Sequence, residues 1–121
     1  MKFISWNIRG LGSKRKQRLL NNKMKQADPD IIFIQEMKCS IQSLRQLHRK
    51  WLNKYEYLEV KAENTAGGIL TLWNPQIIDL INAEAARNYL SVVIQPVGDK
   101  STYIVTNMYG PQTIEDKLKF T

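Results

Sequence analysis

Cys39 is the only cysteine in the chain, so an intramolecular disulfide is excluded and the paired-cysteine patterns of zinc sites are absent. A reducing, intracellular compartment and no disulfide-linked partner are the expectations. His48 is the only histidine, which leaves little material for imidazole-based acid–base chemistry. Uninterrupted apolar runs are short: Ile31 to Ile34 falls far below the ~20 residues of a membrane-spanning helix. The first seven residues, Met1 to Asn7, show no cationic leader followed by a long apolar stretch, so no secretory signal is expected. Repeats and low-complexity tracts are also lacking.

What is there fits a globular protein of one domain, spanning residues 1–121, with 43% hydrophobic and 24% charged residues. At this length folding removes about two-thirds of the unfolded chain's surface from water, enough for a real core. Eighteen Lys and Arg face eleven Asp and Glu, a net charge of +7. Lys14, Arg15, Lys16, Arg18, Lys23 and Lys25 crowd one short segment, the footprint of a polyanion partner, with nucleic acid the leading candidate. A solvated helix face is the alternative on charge alone.

Along the chain, Lys2 to Asn7 alternates as a short strand and stops at Arg9-Gly10-Leu11-Gly12. Leu20, Met24 and Ala27 recur at i, i+4 and i+7, which predicts an amphipathic helix from Ser13, its N-cap, to Ala27. Asp28-Pro29-Asp30 ends it, and Ile31-Ile32-Phe33-Ile34 reads as a strand covered on both faces. Strand, helix and strand make a right-handed βαβ unit with parallel strands. Ser40 caps a second helix with Ile41, Leu44, His48 and Trp51 on one stripe. Strands follow at Tyr57 to Val60, Ile69 to Trp73 and Ile77 to Ile81. Tyr89 to Gln95 and Thr102 to Tyr109 flank the loop 96–100 as a hairpin. Ile114 and Leu118 mark the start of a last helix that has no C-terminal cap.

Parallel strands deliver their carboxyl ends to one edge of the sheet, where ligands of open α/β sheets bind. Asn7 and Glu36 should therefore emerge together. Phosphodiester cleavage needs charge neutralisation at the phosphate and an activated water, and a Mg²⁺ ion held by one or two carboxylates supplies much of both. Glu36 is placed for that role, with Asn7 beside it to orient a ligand oxygen. A solvated strand end is the bland reading of Glu36, and a packing role on the apolar stripe is the reading of His48.

Ile4-Ser5-Trp6-Asn7-Ile8-Arg9-Gly10-Leu11 and Asp30-Ile31-Ile32-Phe33-Ile34-Gln35-Glu36-Met37-Lys38, then Gly67-Gly68-Ile69-Leu70 and Asn107-Met108-Tyr109-Gly110-Pro111, form four ordered blocks. They resemble the endonuclease/exonuclease/phosphatase superfamily, and within it the apurinic-endonuclease-like domain of LINE-type retrotransposons. The resemblance covers the whole chain but only the first half of that domain. It implies an α/β fold, the N-terminal half of a four-layer sandwich in which two packed sheets are flanked by helices. It implies that Glu36 and Asn7 bind Mg²⁺ or Mn²⁺, and that Asn7, Glu36 and Tyr109 are catalytic. Arg9, Lys14, Arg15 and Lys38 would contact DNA. Arg9 departs from the repair enzymes, which carry an acid there; a guanidinium attracts phosphate instead, against abasic-site specificity.

The family's later motifs, an Asp-x-Asn and a Ser-Asp-His, have no counterpart before Thr121. The expectation is thus a domain truncated at its C-terminus, inactive alone, from a DNA-nicking enzyme with a reverse transcriptase domain downstream and a nuclear location if it is a eukaryotic retroelement product. A non-catalytic nucleic-acid-binding remnant and an enzyme acting on another phosphoester are the alternatives.

Overall fold

The computed structural model describes residues 1–61, 67–86 and 88–108. The C-terminal helix expected from Ile114 lies outside these residues, as does Tyr109. Nine elements follow in order: β1 (Phe3–Asn7), α1 (Lys14–Ala27), β2 (Ile31–Gln35), α2 (Ile41–Trp51), β3 (Glu56–Val60), β4 (Ile69–Trp73), β5 (Ile78–Ala86), β6 (Tyr89–Pro96) and β7 (Tyr103–Met108).

Local chemistry sets the helix ends. The Ser13 hydroxyl accepts the Lys16 backbone N–H at 3.2 Å and opens α1. Asp28 closes it in the left-handed region, its N–H returning to the Met24 carbonyl at 2.8 Å. Ser40 caps α2 through the Ser43 N–H at 3.0 Å. The stripe of α2 differs from the one expected: Leu44 and Leu47 are buried, while Ile41, His48 and Trp51 are half-buried. Packing against the sheet is decided by the two leucines, which carry no polar atom to satisfy.

β1 and β2 are parallel, with Asn7 opposite Gln35, as the βαβ reading required. β4 then inserts antiparallel between β2 and β3, giving the order β1-β2-β4-β3. A second sheet, β5-β6-β7, is wholly antiparallel, and β5 runs well beyond the Ile77 to Ile81 strand of the sequence reading. Two cores result. Ile32, Ile34, Leu70 and Leu72 point to the helices, where they meet Leu20, Met24, Leu44 and Leu47. Ile31, Phe33, Ile69 and Trp73 point to the second sheet, where they meet Ile78, Leu90, Val92 and Ile94. That two-faced burial is why β2 and β4 are apolar without alternation. Each such side chain contributes about 1.5–3 kcal/mol relative to exposure.

The described residues thus form three layers: helices, the first sheet and the second sheet. The second sheet is offset, β7 packing on β2 and β4 and β6 on β4 and β3. The inner face of β1 is left open: Phe3, Ser5 and Asn7 are exposed even though Phe3 meets Phe33 edge-on at 6.1 Å.

Candidate active site

At the carboxyl edge of β1 and β2 three turns are laced side by side. Ile8 N–H donates to the Gln35 carbonyl at 3.1 Å, and Gly10 and Leu11 N–H to the Glu36 and Met37 carbonyls at 2.8 Å each. Met37 and Lys38 N–H donate in turn to Gly68 and Gly67 at 3.1 Å. The lacing demands unusual backbone: φ is +53° at Arg9, +103° at Gly10, +53° at Glu36, +42° at Lys38 and +108° at Gly68. Three of these residues have a Cβ, and each stores on the order of 1 kcal/mol of strain. Ile8, Leu11 and Met37, all buried, anchor the turns in the helix-side core. Lys16 Nζ reaches back from α1 to the Ile8 carbonyl at 2.7 Å.

This rigid edge carries Asn7, Arg9, Glu36 and Lys38. Asn7 and Arg9 are exposed. The Glu36 side chain is 16% exposed, and its Oε1 lies 3.8 Å from Lys38 Nζ. Lys14 and Arg15 are exposed in the first turn of α1, which starts from the same edge. The meeting of Asn7 and Glu36 expected from parallel strands is present, Asn7 standing opposite Gln35, the residue before Glu36. Tyr109 lies outside the described residues, directly after Met108, the last residue of β7.

Beneath the edge sits a network that sequence reasoning quoted without assigning it a role. Asn107 is 1% exposed. Its Nδ2 donates to the Leu70 carbonyl at 2.9 Å, Thr71 Oγ1 at 3.1 Å and the Ile34 carbonyl at 3.4 Å. Its Oδ1 accepts Gln35 Nε2 at 2.8 Å, and Gln35 also reaches Ser5 Oγ at 3.2 Å. The Asn107 amide thereby clamps β7 to β2 and β4, and Gln35, one residue short of Glu36, extends the network to β1. The signal was available: Val105 and Asn107 share the inward face of β7, and a polar residue on a core-facing alternation position needs a partner.

Among the described residues no group of three or more His, Cys, Asp and Glu gathers at any point. Burial foremost and the Glu59 charge second push the thiol of Cys39, close to the edge in sequence, up to about 11. His48 is committed elsewhere. Its Nε2 lies 2.6 Å from the Tyr55 carbonyl, which can only accept, so that nitrogen carries the hydrogen; the ring packs edge-on to Tyr57 at 4.8 Å. A cleft of about 670 Å³ lined by Phe3, Ile94, Tyr103 and Val105 lies at the opposite end of the sheets.

The sequence profile of the Endonuclease/Exonuclease/phosphatase family matches residues 4–107. No curated protein matches the sequence. Several solved structures share the fold. D. rerio TDP2 complexed with a single-strand DNA product is 16% identical with a TM-score of 0.69, the match covering 97% of this chain and 49% of that one. The AP endonuclease LMAP of Leishmania major is 18% identical with a TM-score of 0.69, over 98% of this chain and 43% of that one. A mannosyl-6-phosphatase of Bacteroides thetaiotaomicron is 12% identical with a TM-score of 0.67, over 88% and 50%. The chain spans about half the length of these structures.

Proposed function

This chain belongs to the Endonuclease/Exonuclease/phosphatase family, and from that membership we propose that it is the first half of a Mg²⁺- or Mn²⁺-dependent DNA-nicking endonuclease of retrotransposon type. The observation that carries the reading is the convergence of Asn7 and Glu36 on one rigid edge, from parallel strands tied at Asn7 and Gln35. A carboxylate and a carboxamide are hard oxygen donors, the set a Mg²⁺ ion takes when water completes its shell. Glu36 would hold the cation and Asn7 would orient it or a substrate oxygen. When bound, the cation neutralises phosphate charge and acidifies water.

The remaining roles belong to the chain. Arg9 and Lys38 attract the phosphodiester at the edge, and Lys38 pairs with Glu36 until a stronger cation competes. Lys14 and Arg15 extend the positive field along α1. Tyr109 approaches the scissile phosphate in this reading. His48 is not the group that moves a proton to or from water, since its Nε2 is committed to the Tyr55 carbonyl. In this reading the proton-transfer groups come from the half of the fold that this chain does not span, so the chain alone does not turn over.

The test is plasmid nicking by the full-length protein. Glu36→Gln should lower the rate by about 10²-fold or more, as loss of a principal charge-stabilising group does; unchanged nicking overturns the metal role. A non-catalytic remnant that binds nucleic acid is the second reading, favoured by the basic segment Lys14 to Lys25, which holds no acid. It predicts salt-dependent binding with no nicking in any context. A mannosyl-6-phosphatase among the similar structures keeps a third in view, an enzyme acting on a non-nucleic-acid phosphoester. Hydrolysis of a sugar phosphate without nicking would select it.

A further inference from the structure

The folded chain separates its charges by layer. Residues 11–27 carry six Lys and Arg, residues 39–55 carry four, and neither stretch has an Asp or Glu. The fold sets these two stretches side by side: Gln17 Nε2 of α1 donates to Ser43 Oγ of α2 at 3.4 Å, and both helices bury their leucines in the same core. On the other side of the molecule, residues 78–86 and 88–108 carry three acids against one cation. Of the helix-layer cations, only Lys54 lies within ion-pair distance of a carboxylate among the described residues, that of Asp28.

Both helices start at the edge that bears Asn7 and Glu36, so their positive dipole ends and their side-chain charge adjoin it. α1, at 14 residues, is about 21 Å long, the length of roughly six base pairs of duplex. We propose that the outer face of α1 and α2, with the exposed Arg18, Arg45 and Arg49 among its cations, is a docking track for the phosphate backbone of double-stranded DNA, continuous with the candidate active edge.

The chemistry favours a duplex over a single strand or a membrane. A single-strand surface offers aromatic faces for bases to stack on. Here Trp6 and Trp51 are half-buried and already lie under Lys23, at 5.9 Å, and Lys50, at 4.6 Å. A membrane-surface helix presents its apolar face outward. Here those faces are in the core, and Leu19 is the one large apolar side chain exposed on either helix. The track rests on the DNA reading above but not on cleavage.

The experiment is fluorescence anisotropy of the 121-residue chain on a labelled 20-bp duplex in EDTA, across 50 to 200 mM salt. Wild type should show log affinity falling linearly with log salt, with a slope of about −4 to −6, the value for about five or six phosphate contacts. Arg45→Gln/Arg49→Gln should reduce the slope by about two and the affinity at 100 mM salt by at least about tenfold. Lys61→Gln/Lys100→Gln, which removes the same charge from exposed positions off the helix layer, should stay within about twofold. Equal losses in both pairs, no loss in the α2 pair, or tighter binding to a single strand or to phosphatidylserine vesicles would overturn the track. Circular dichroism checks that each variant is folded. A full-length protein that nicks while its α2 pair binds normally refutes the track and leaves the catalytic reading standing.

Discussion

Asn107 is where the structure makes its most quantitative demand. Its side chain is buried and engages both ends of its amide in hydrogen bonds, joining the second sheet to the first under the candidate site. Asn107→Leu keeps the volume but leaves the Gln35 amide short of an acceptor and the Leu70 carbonyl short of a donor. Two buried groups at about 1–3 kcal/mol each, partly offset by added apolar burial, give a loss of about 2–3 kcal/mol. Asn107→Asp is worse at neutral pH. It retains the acceptor for Gln35 but turns a carboxylate on the carbonyls of Ile34 and Leu70, at a cost of about 4–5 kcal/mol.

That cost depends on pH. Burial and the facing carbonyls favour the neutral acid, so the folded pKa lies above the unfolded value of about 3.9. Between those two values the folded state keeps a proton that the unfolded state has lost, and stability falls as pH rises, by about 1.4 kcal/mol per unit. Below pH 4 the protonated acid donates in place of the amide and the variant approaches wild type. Urea denaturation of wild type and both variants from pH 3.5 to 7.5 reads this directly. An Asp variant within about 1 kcal/mol of wild type at pH 7, or one whose deficit does not change with pH, refutes the clamp.

Arg9→Gly should leave stability unchanged or raise it by up to about 1 kcal/mol, because the φ of +53° suits glycine, whereas Arg9→Val should cost at least about 1 kcal/mol in a thermal melt. Tyr55→Phe removes the hydroxyl that donates to the Pro29 carbonyl at 2.8 Å and should cost about 1 kcal/mol. Burial raises the Tyr55 pKa, so wild type should also lose stability as pH climbs past the ordinary tyrosine value near 10, a loss the Phe variant lacks. Cys39, with its thiol pushed up to about 11, should react with iodoacetamide at pH 8 at least about tenfold more slowly than free cysteine; a rate equal to free thiol would contradict its buried setting.

Much of the site was legible because it rests on local rules. Two glycines stop β1, Ser13 opens α1, Asp28-Pro29 closes it, and the run Ile31 to Ile34 can only be a doubly covered strand. Given two parallel strands, the meeting of Asn7 and Glu36 follows from geometry. Non-local pairing was not legible. Nothing in Ile69 to Trp73 says that β4 slips between β2 and β3, since sheet order is set by which apolar faces meet. Beyond Ile81, β5 continues through Asn82-Ala83-Glu84-Ala85, residues that favour helix or turn, and it is held extended by pairing with β6. The left-handed turns at Arg9, Glu36 and Lys38 also escaped, because no glycine marks them; the lacing of three loops imposes the strain. Asn107 was quoted for its neighbours, and its own role appears only once the second sheet lies over Gln35.

The most direct test of the metal edge is Mn²⁺ titration of the isotope-labelled 121-residue chain, followed by paramagnetic broadening of its amide signals. At about millimolar Mn²⁺, the range for a site of few charged ligands, broadening should centre on Asn7, Glu36 and the turns laced to them, and should vanish there in Glu36→Gln. Broadening centred instead on Asp28 and Asp30 or on the acids of the second sheet, with the Asn7 and Glu36 signals intact, would contradict the assignment of this edge as the cation-binding wall.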